Sequence, residues 1–294
     1  MFIYDLPNLL AILIVVLVSF RVGLIPLWLS FFLCLFAFTP FFLNEVLFPA
    51  SYMPDQFQYY NVSKGIRSFA LESFSESTTV ENAGWMLALI PLPYIETIQS
   101  LGFFNRFMVT VLIIWLYSSK NIRGWPLLFM VFYPSLLLYS SLTLRDTFVL
   151  IFMVLSIIFF IENRKLLAVI TAVPLLLFKF QNFLLVIVFF IAHLYFSRDS
   201  FVYRYRYMFL IIVIASLAPF MMTIIEILDF SRLNMFIDDG GRRNAYVHMR
   251  TLEDFIIIAM QSAPYFLMKP LPWEADSLLT LLQSFENILI LIFL

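Results

Sequence analysis

The sequence predicts an all-α fold, a polytopic bundle of about nine transmembrane helices with two further re-entrant or interfacial segments. Three observations predict it. Hydrophobic residues fill 63% of the 294 positions, with 36 Phe and only 13% charged residues, whereas soluble domains are about 45–50% apolar. The apolar residues gather into runs separated by a few polar positions. Lys and Arg fall in alternate connections between those runs, as positive-inside topology requires. Mean hydropathy is +0.95. No room remains for a soluble domain, and residues 1–294 read as a single integral membrane domain.

The N-terminal run MFIYDLPNLLAILIVVLVSF lacks a basic leader and a small-residue cleavage site, which predicts a retained first helix rather than a signal peptide. A spanning helix needs roughly 17–25 mostly apolar residues. Runs that meet or approach this are 7–20, 24–43, 104–119, 125–142, 147–161, 166–178, 181–197, 207–228 and 277–294. The runs 83–95 and 255–268 are shorter and are broken or ended by Pro91, Pro93, Pro264 and Pro270. They are expected to be non-spanning.

Arg21, Lys120 with Arg123, Arg164 with Lys165, and Arg198, Arg204 and Arg206 then share the cytoplasmic side. The N-terminus, the segment 44–103, the turns near Arg145 and Lys179, and the segment 229–276 fall outside. Letting either short run cross would reverse the sides of every later connection. The loops 44–103 and 229–276 therefore form the expected active-site face.

A net charge of −1 provides no field to attract nucleic acid. The single cysteine, Cys34, lies in an apolar run and reads as a small buried residue. The sequence has no phosphate-binding glycine loop, no His-Glu-x-x-His and no cysteine cluster, so neither a soluble cofactor nor a metal is expected.

Polar clusters on the outer side carry the candidate chemistry. In SYMPDQFQYYN, Asp55 follows Pro54 and precedes Tyr59 and Tyr60. Asp55 fits a helix first turn, or a general base beside tyrosine faces that could stack on sugar rings. In FYPSLLLYSSLTLRDTF, Pro134 can kink a span and Ser140, Ser141 and Thr143 loosen its end. Arg145 either snorkels from a polar turn or binds an anion at a cavity rim.

Lys179 interrupts an apolar stretch beside Gln181 and Asn182, a position that is functional by default or a snorkelling turn. The densest cluster, DDGGRRNAYVHMR, offers Arg242, Arg243 and Arg250 as fork-shaped donors for phosphate oxygens. The same stretch fits a solvated loop. His248 there could shuttle protons, although a lone histidine is more often structural. In MKPLPWEADS, two prolines stiffen a segment that puts Trp273 at the headgroup interface and Glu274 beside it, where a raised pKa would suit acid–base work. Glu286, inside the last span, needs a partner such as Lys179 or a loop arginine.

Two of these segments carry a family resemblance. Tyr133-Pro134-Ser135, Ser140-Ser141 and Arg145-Asp146 resemble the Pro-Ser, Trp-Ser-Ser-Gly, Lys-Asp pattern of Wzy-type O-antigen and capsule polymerases. Lys269-Pro270-Leu271-Pro272-Trp273-Glu274 resembles the Arg-Pro-Phe-Pro-Trp-Glu stretch of the same proteins. Here Tyr139 stands for the tryptophan, Leu142 for the glycine, and Arg145 and Lys269 exchange one basic residue for another.

The resemblance implies a multi-pass glycosyltransferase of the bacterial inner membrane, moving a glycan from undecaprenyl diphosphate to a sugar hydroxyl of another lipid-linked repeat unit. Its substrate is a lipid-linked oligosaccharide, and its partners are membrane lipids and chain-length regulators or flippases. The diphosphate leaving group needs fixed cations and the attacking hydroxyl a carboxylate. Arg242, Arg243 and Arg145 are expected at the diphosphate, and Glu274 or Asp55 as base. Lys179, Arg250, Trp273 and Tyr59 complete the expected substrate-binding set. Two other readings fit the composition: a glycosyltransferase using a polyprenyl monophosphate sugar, and a lipid or glycan transporter.

Overall fold

The computed structural model describes residues 2–43, 53–69, 78–89, 95–197, 201–238 and 246–293. Among them every regular element is helical, as an all-α fold requires. The chain divides within one helix into two compact units, Met1–Ile191 and Ala192–Leu294.

The first unit begins with α1 (Phe2–Arg21), α2 (Leu27–Phe36) and the short α3 (Thr39–Leu43). The expected span 24–43 is thus interrupted at 37–38. Helices α4 (Asp55–Arg67) and α5 (Thr78–Ala88) cross closely, because Gly84 has no Cβ to collide with the Val62 side chain. The run 83–95 begins inside α5, and its prolines lie outside the described residues.

Helix α6 (Ile98–Ser118) is the centre of the unit. Its Leu101, Phe103, Val109, Leu112, Ile113 and Leu116 are all buried, and α1, α2 and α7 (Trp125–Phe132) pack around it. Pro134 ends α7 and opens α8 (Pro134–Tyr139), splitting the expected span 125–142. Proline without an N–H cannot continue the hydrogen-bond ladder of the preceding turn. Helices α9 (Asp146–Ile161), α10 (Lys165–Phe178) and α11 (Phe180–Phe196) follow. Phe148 and Phe152 stack on Phe178, and Phe160 on Phe190.

Helices α1 and α6 are long and apolar enough to cross a membrane, while α9, α10 and α11 are apolar and shorter. Their outward side chains, among them Ile14, Leu17, Val169 and Leu185, are exposed hydrophobics. In the first unit the two sets of connections separate to opposite ends. Asn121 Nδ2 reaches Glu162 Oε1 at 3.3 Å at one end. At the other, the residues around Thr143 meet α4, the start of α6 and the start of α3.

The second unit contains α12 (Phe201–Arg204), α13 (Arg206–Leu217), a 3-10 turn at Ala218–Phe220, and α14 (Met221–Asp238). The expected span 207–228 is therefore broken at Pro219, and its second half runs on to Asp238. Helix α15 (Leu252–Met268) passes through Pro264 without ending, so the run 255–268 belongs to a 17-residue helix. Proline was expected to break it. A capping box starts it: Thr251 Oγ1 accepts from Asp254 N–H, and Asp254 Oδ2 accepts from Thr251 N–H. A 3-10 turn at Pro272–Glu274 leads to α16 (Leu278–Phe293).

Candidate functional site

The polar turn between α8 and α9 is held from several sides. Ser140, Ser141, Leu142 and Thr143 are all buried. Each backbone group of such a turn needs a partner once water is gone. Asn105 Nδ2 donates to the carbonyls of Leu142 (2.7 Å) and Leu144 (2.8 Å). Thr143 N–H donates to Gln56 Oε1 at 3.2 Å, and its hydroxyl to the Ile98 carbonyl. Thr39 and Ser141 share a hydroxyl hydrogen bond of 2.6 Å. Three separate elements, α3, α4 and α6, thus fix a turn whose sequence alone reads as a loosened helix end.

Against this turn lies a cavity of about 610 Å³. Phe129, Tyr133 and Tyr139 give it aromatic walls, Ser140 and Thr147 hydroxyls, and Asp146 and Lys179 a charge pair. Lys179 Nζ lies 3.3 Å from Asp146 Oδ1, with both side chains about two-fifths exposed. A pair that open to solvent is worth only about 0–1 kcal/mol, so a ligand anion can exchange for the carboxylate at little cost. Lys179 is accordingly partnered by Asp146, where the sequence left Glu286 as a candidate. Glu286 itself is buried in α16.

Arg145 stands at the N-cap of α9. Its Nη1 is buried without a hydrogen-bond partner, so this nitrogen does not snorkel into water. Arg106, inside α6, is 1% exposed and donates from Nη1 to Ser140 Oγ at 2.9 Å. Its guanidinium also faces the Phe36 ring at 5.7 Å, and its Nε has no partner.

Asp55 is exposed in the first turn of α4, the helix-start position. Tyr59, one turn on, is 3% exposed, so it has no open face for a sugar ring to stack on. Burial pushes its phenol above the usual value; Arg145 opposes that rise, while Asp55 and Asp146 add to it. Asp55, Tyr59, Arg145, Asp146 and Lys179 thus gather at one end of the first unit, and Arg106 joins them from inside.

The second unit has its own polar centre. Asp229 of α14 accepts from Met249 N–H (2.8 Å) and the Tyr246 hydroxyl (2.9 Å) through Oδ1, and meets His248 Nδ1 at 2.7 Å through Oδ2. That contact orients the imidazole and leaves Nε2 as the nitrogen not engaged by Asp229. His248, Arg250 and Glu226 line a cavity of about 340 Å³ there. Arg242 and Arg243 lie outside the described residues.

Glu274 and Trp273 sit on the 3-10 turn and do not line this cavity. Trp273 is exposed. Glu274 Oε2 accepts from Leu271 N–H at 3.2 Å and Oε1 pairs with Lys269 Nζ at 3.0 Å. The Leu271 N–H and then the Lys269 ammonium hold its carboxyl below the ordinary value, the opposite of the raised pKa expected beside an indole. The reason is exposure: no apolar wall surrounds the carboxylate, and two donors stabilise its charge.

No family model, curated protein or solved structure matches the chain. The residues the sequence reading missed, Arg106 and Asn105, had a signal nonetheless. Both are polar side chains within an apolar run, and an ionisable group there is a functional candidate by default.

Proposed function

We propose that this protein is a multi-pass glycosyltransferase of the bacterial inner membrane that polymerises lipid-linked oligosaccharides, passing a glycan from undecaprenyl diphosphate to a sugar hydroxyl outside the cytoplasm. The observation that carries this reading is the cavity of the first unit. Aromatic walls suit a sugar or prenyl chain, and the exchangeable Lys179–Asp146 pair suits a phosphate in an apolar helical body.

The cavity lies against the turn between α8 and α9, at the end of the unit that gathers connections expected outside from the distribution of Lys and Arg. About nine spans fit that distribution, with α2–α3, α7–α8 and α13–α14 each counted as one interrupted crossing. The short segments resembling Wzy-type polymerases supply the reaction, and Tyr133, Ser135, Tyr139, Ser140 and Asp146 of the first segment line the cavity. Arg250, with His248 and Glu226, offers a second polar centre.

Lipid-linked glycans profiled in a strain with and without the protein test the reading. Its loss should collapse a ladder of polymer to single lipid-linked repeats. A ladder that survives intact, or loss of one decorating sugar instead, excludes the polymerase.

A further inference from the structure

Arg106 poses a problem that the fold alone does not solve. A guanidinium stays charged in proteins, and burying a charge without a partner is costly. The ion pairs among the described residues include neither Arg106 nor Arg145. Phe36 offsets part of the cost through its ring face, and Ser140 accepts one hydrogen bond. Arg106 Nε and Arg145 Nη1 remain buried without partners.

Ser140 connects this charge to the cavity. Its Oγ accepts from Arg106, it lies on the cavity wall, and its own hydroxyl proton has only a weak acceptor, the Leu137 carbonyl at 3.4 Å. A hydroxyl that accepts from a guanidinium is polarised to donate onward more strongly. Lys179 lines the same cavity.

We propose that this wall is an oxyanion site: Ser140 donates its hydroxyl proton to a phosphate oxygen of a polyprenyl diphosphate, and Arg106 behind it is the positioning cation whose missing counter-charge the ligand supplies. The phosphate chemistry stands by itself; its assignment to the lipid-linked substrate rests on the proposed function.

The test is binding of farnesyl diphosphate to the purified full chain in detergent, with farnesol, inorganic pyrophosphate and phosphatidylglycerol as comparison ligands. Ser140→Ala should weaken farnesyl diphosphate about tenfold or more, as loss of a hydrogen bond to a charged group does. Arg106→Gln should weaken it further, Arg106→Lys should recover part of the loss, and farnesol binding should not change. Diphosphate affinity equal to that of the wild type in both Ser140→Ala and Arg106→Gln, with unchanged melting temperatures, overturns the site.

Phosphatidylglycerol competing as well as farnesyl diphosphate overturns the substrate assignment in favour of a membrane phospholipid. Wild-type protein that binds the diphosphate through these residues yet forms no polymer leaves this site standing and removes the polymerase. Polymer formation undisturbed by either variant does the reverse.

Discussion

At the scale of the residue, Gly102 shows how closely the polar turn is seated. A Cβ there would collide with the Ser141 carbonyl oxygen, and neither partner is a flexible side-chain end. Gly102→Ala should therefore destabilise the protein by about 1–3 kcal/mol, the usual cost of overpacking. A lowered melting temperature in detergent checks it. The glycine of the polymerase pattern is replaced here by Leu142, which is buried without a left-handed backbone. The close approach is made by α6 instead, which a comparison confined to the turn could not reveal.

Glu274 supports a second prediction. Its folded pKa is depressed, so the Leu271–Glu274–Lys269 clip is fully present above the ordinary carboxyl value of 4.5 and is lost only as pH falls through the lower, folded value. The carboxyl carbon resonance of Glu274 should titrate below 4.5, and Lys269→Ala should move that titration upward. Titration above 4.5 in the wild type would restore Glu274 as a candidate base.

At the scale of the element, the start of α6 does two jobs. Thr97 Oγ1 accepts from Ser100 N–H while Ser100 Oγ accepts from Thr97 N–H, and both hydroxyls donate to the buried Asp5 of α1, Ser100 at 2.6 Å and Thr97 at 2.7 Å. Cap and inter-helix contact are lost together in Thr97→Val, with a cost of about 1–2 kcal/mol. Urea unfolding in detergent measures it, and a change under half that size would show that Ser100 alone suffices.

Much of this element scale was legible in the sequence. The runs 147–161, 166–178 and 181–197 became α9, α10 and α11 almost residue for residue, because apolar length bounded by charge is a strong signal. Proline was less informative. Pro134 and Pro219 did interrupt helices, whereas α15 runs through Pro264. Asp5, Asn105 and Arg106 read in the sequence only as the edges or interior of apolar runs. Their partners are 34–95 positions away, and only the fold brings them together.

For the whole molecule, the claim is topological. Asn121 and Glu162 meet at one end of the first unit, and Thr143, Gln56 and Lys179 belong to the other. With the single Cys34 replaced by serine, cysteines at 121 and 162 should react with an impermeant thiol reagent only after the inner face is opened. Cysteines at 55 and 58 should react in intact cells. The reverse pattern inverts the orientation and places the cavity on the cytoplasmic side, where no diphosphate-linked repeat awaits polymerisation.

The most direct measurement is a reconstituted reaction: the purified chain in lipid vesicles, given undecaprenyl diphosphate-linked repeat units and no other protein. Glycan chains of two, three and more repeats, formed with release of free undecaprenyl diphosphate, are the predicted result. Repeat units that stay single in the presence of folded, substrate-binding protein would contradict it.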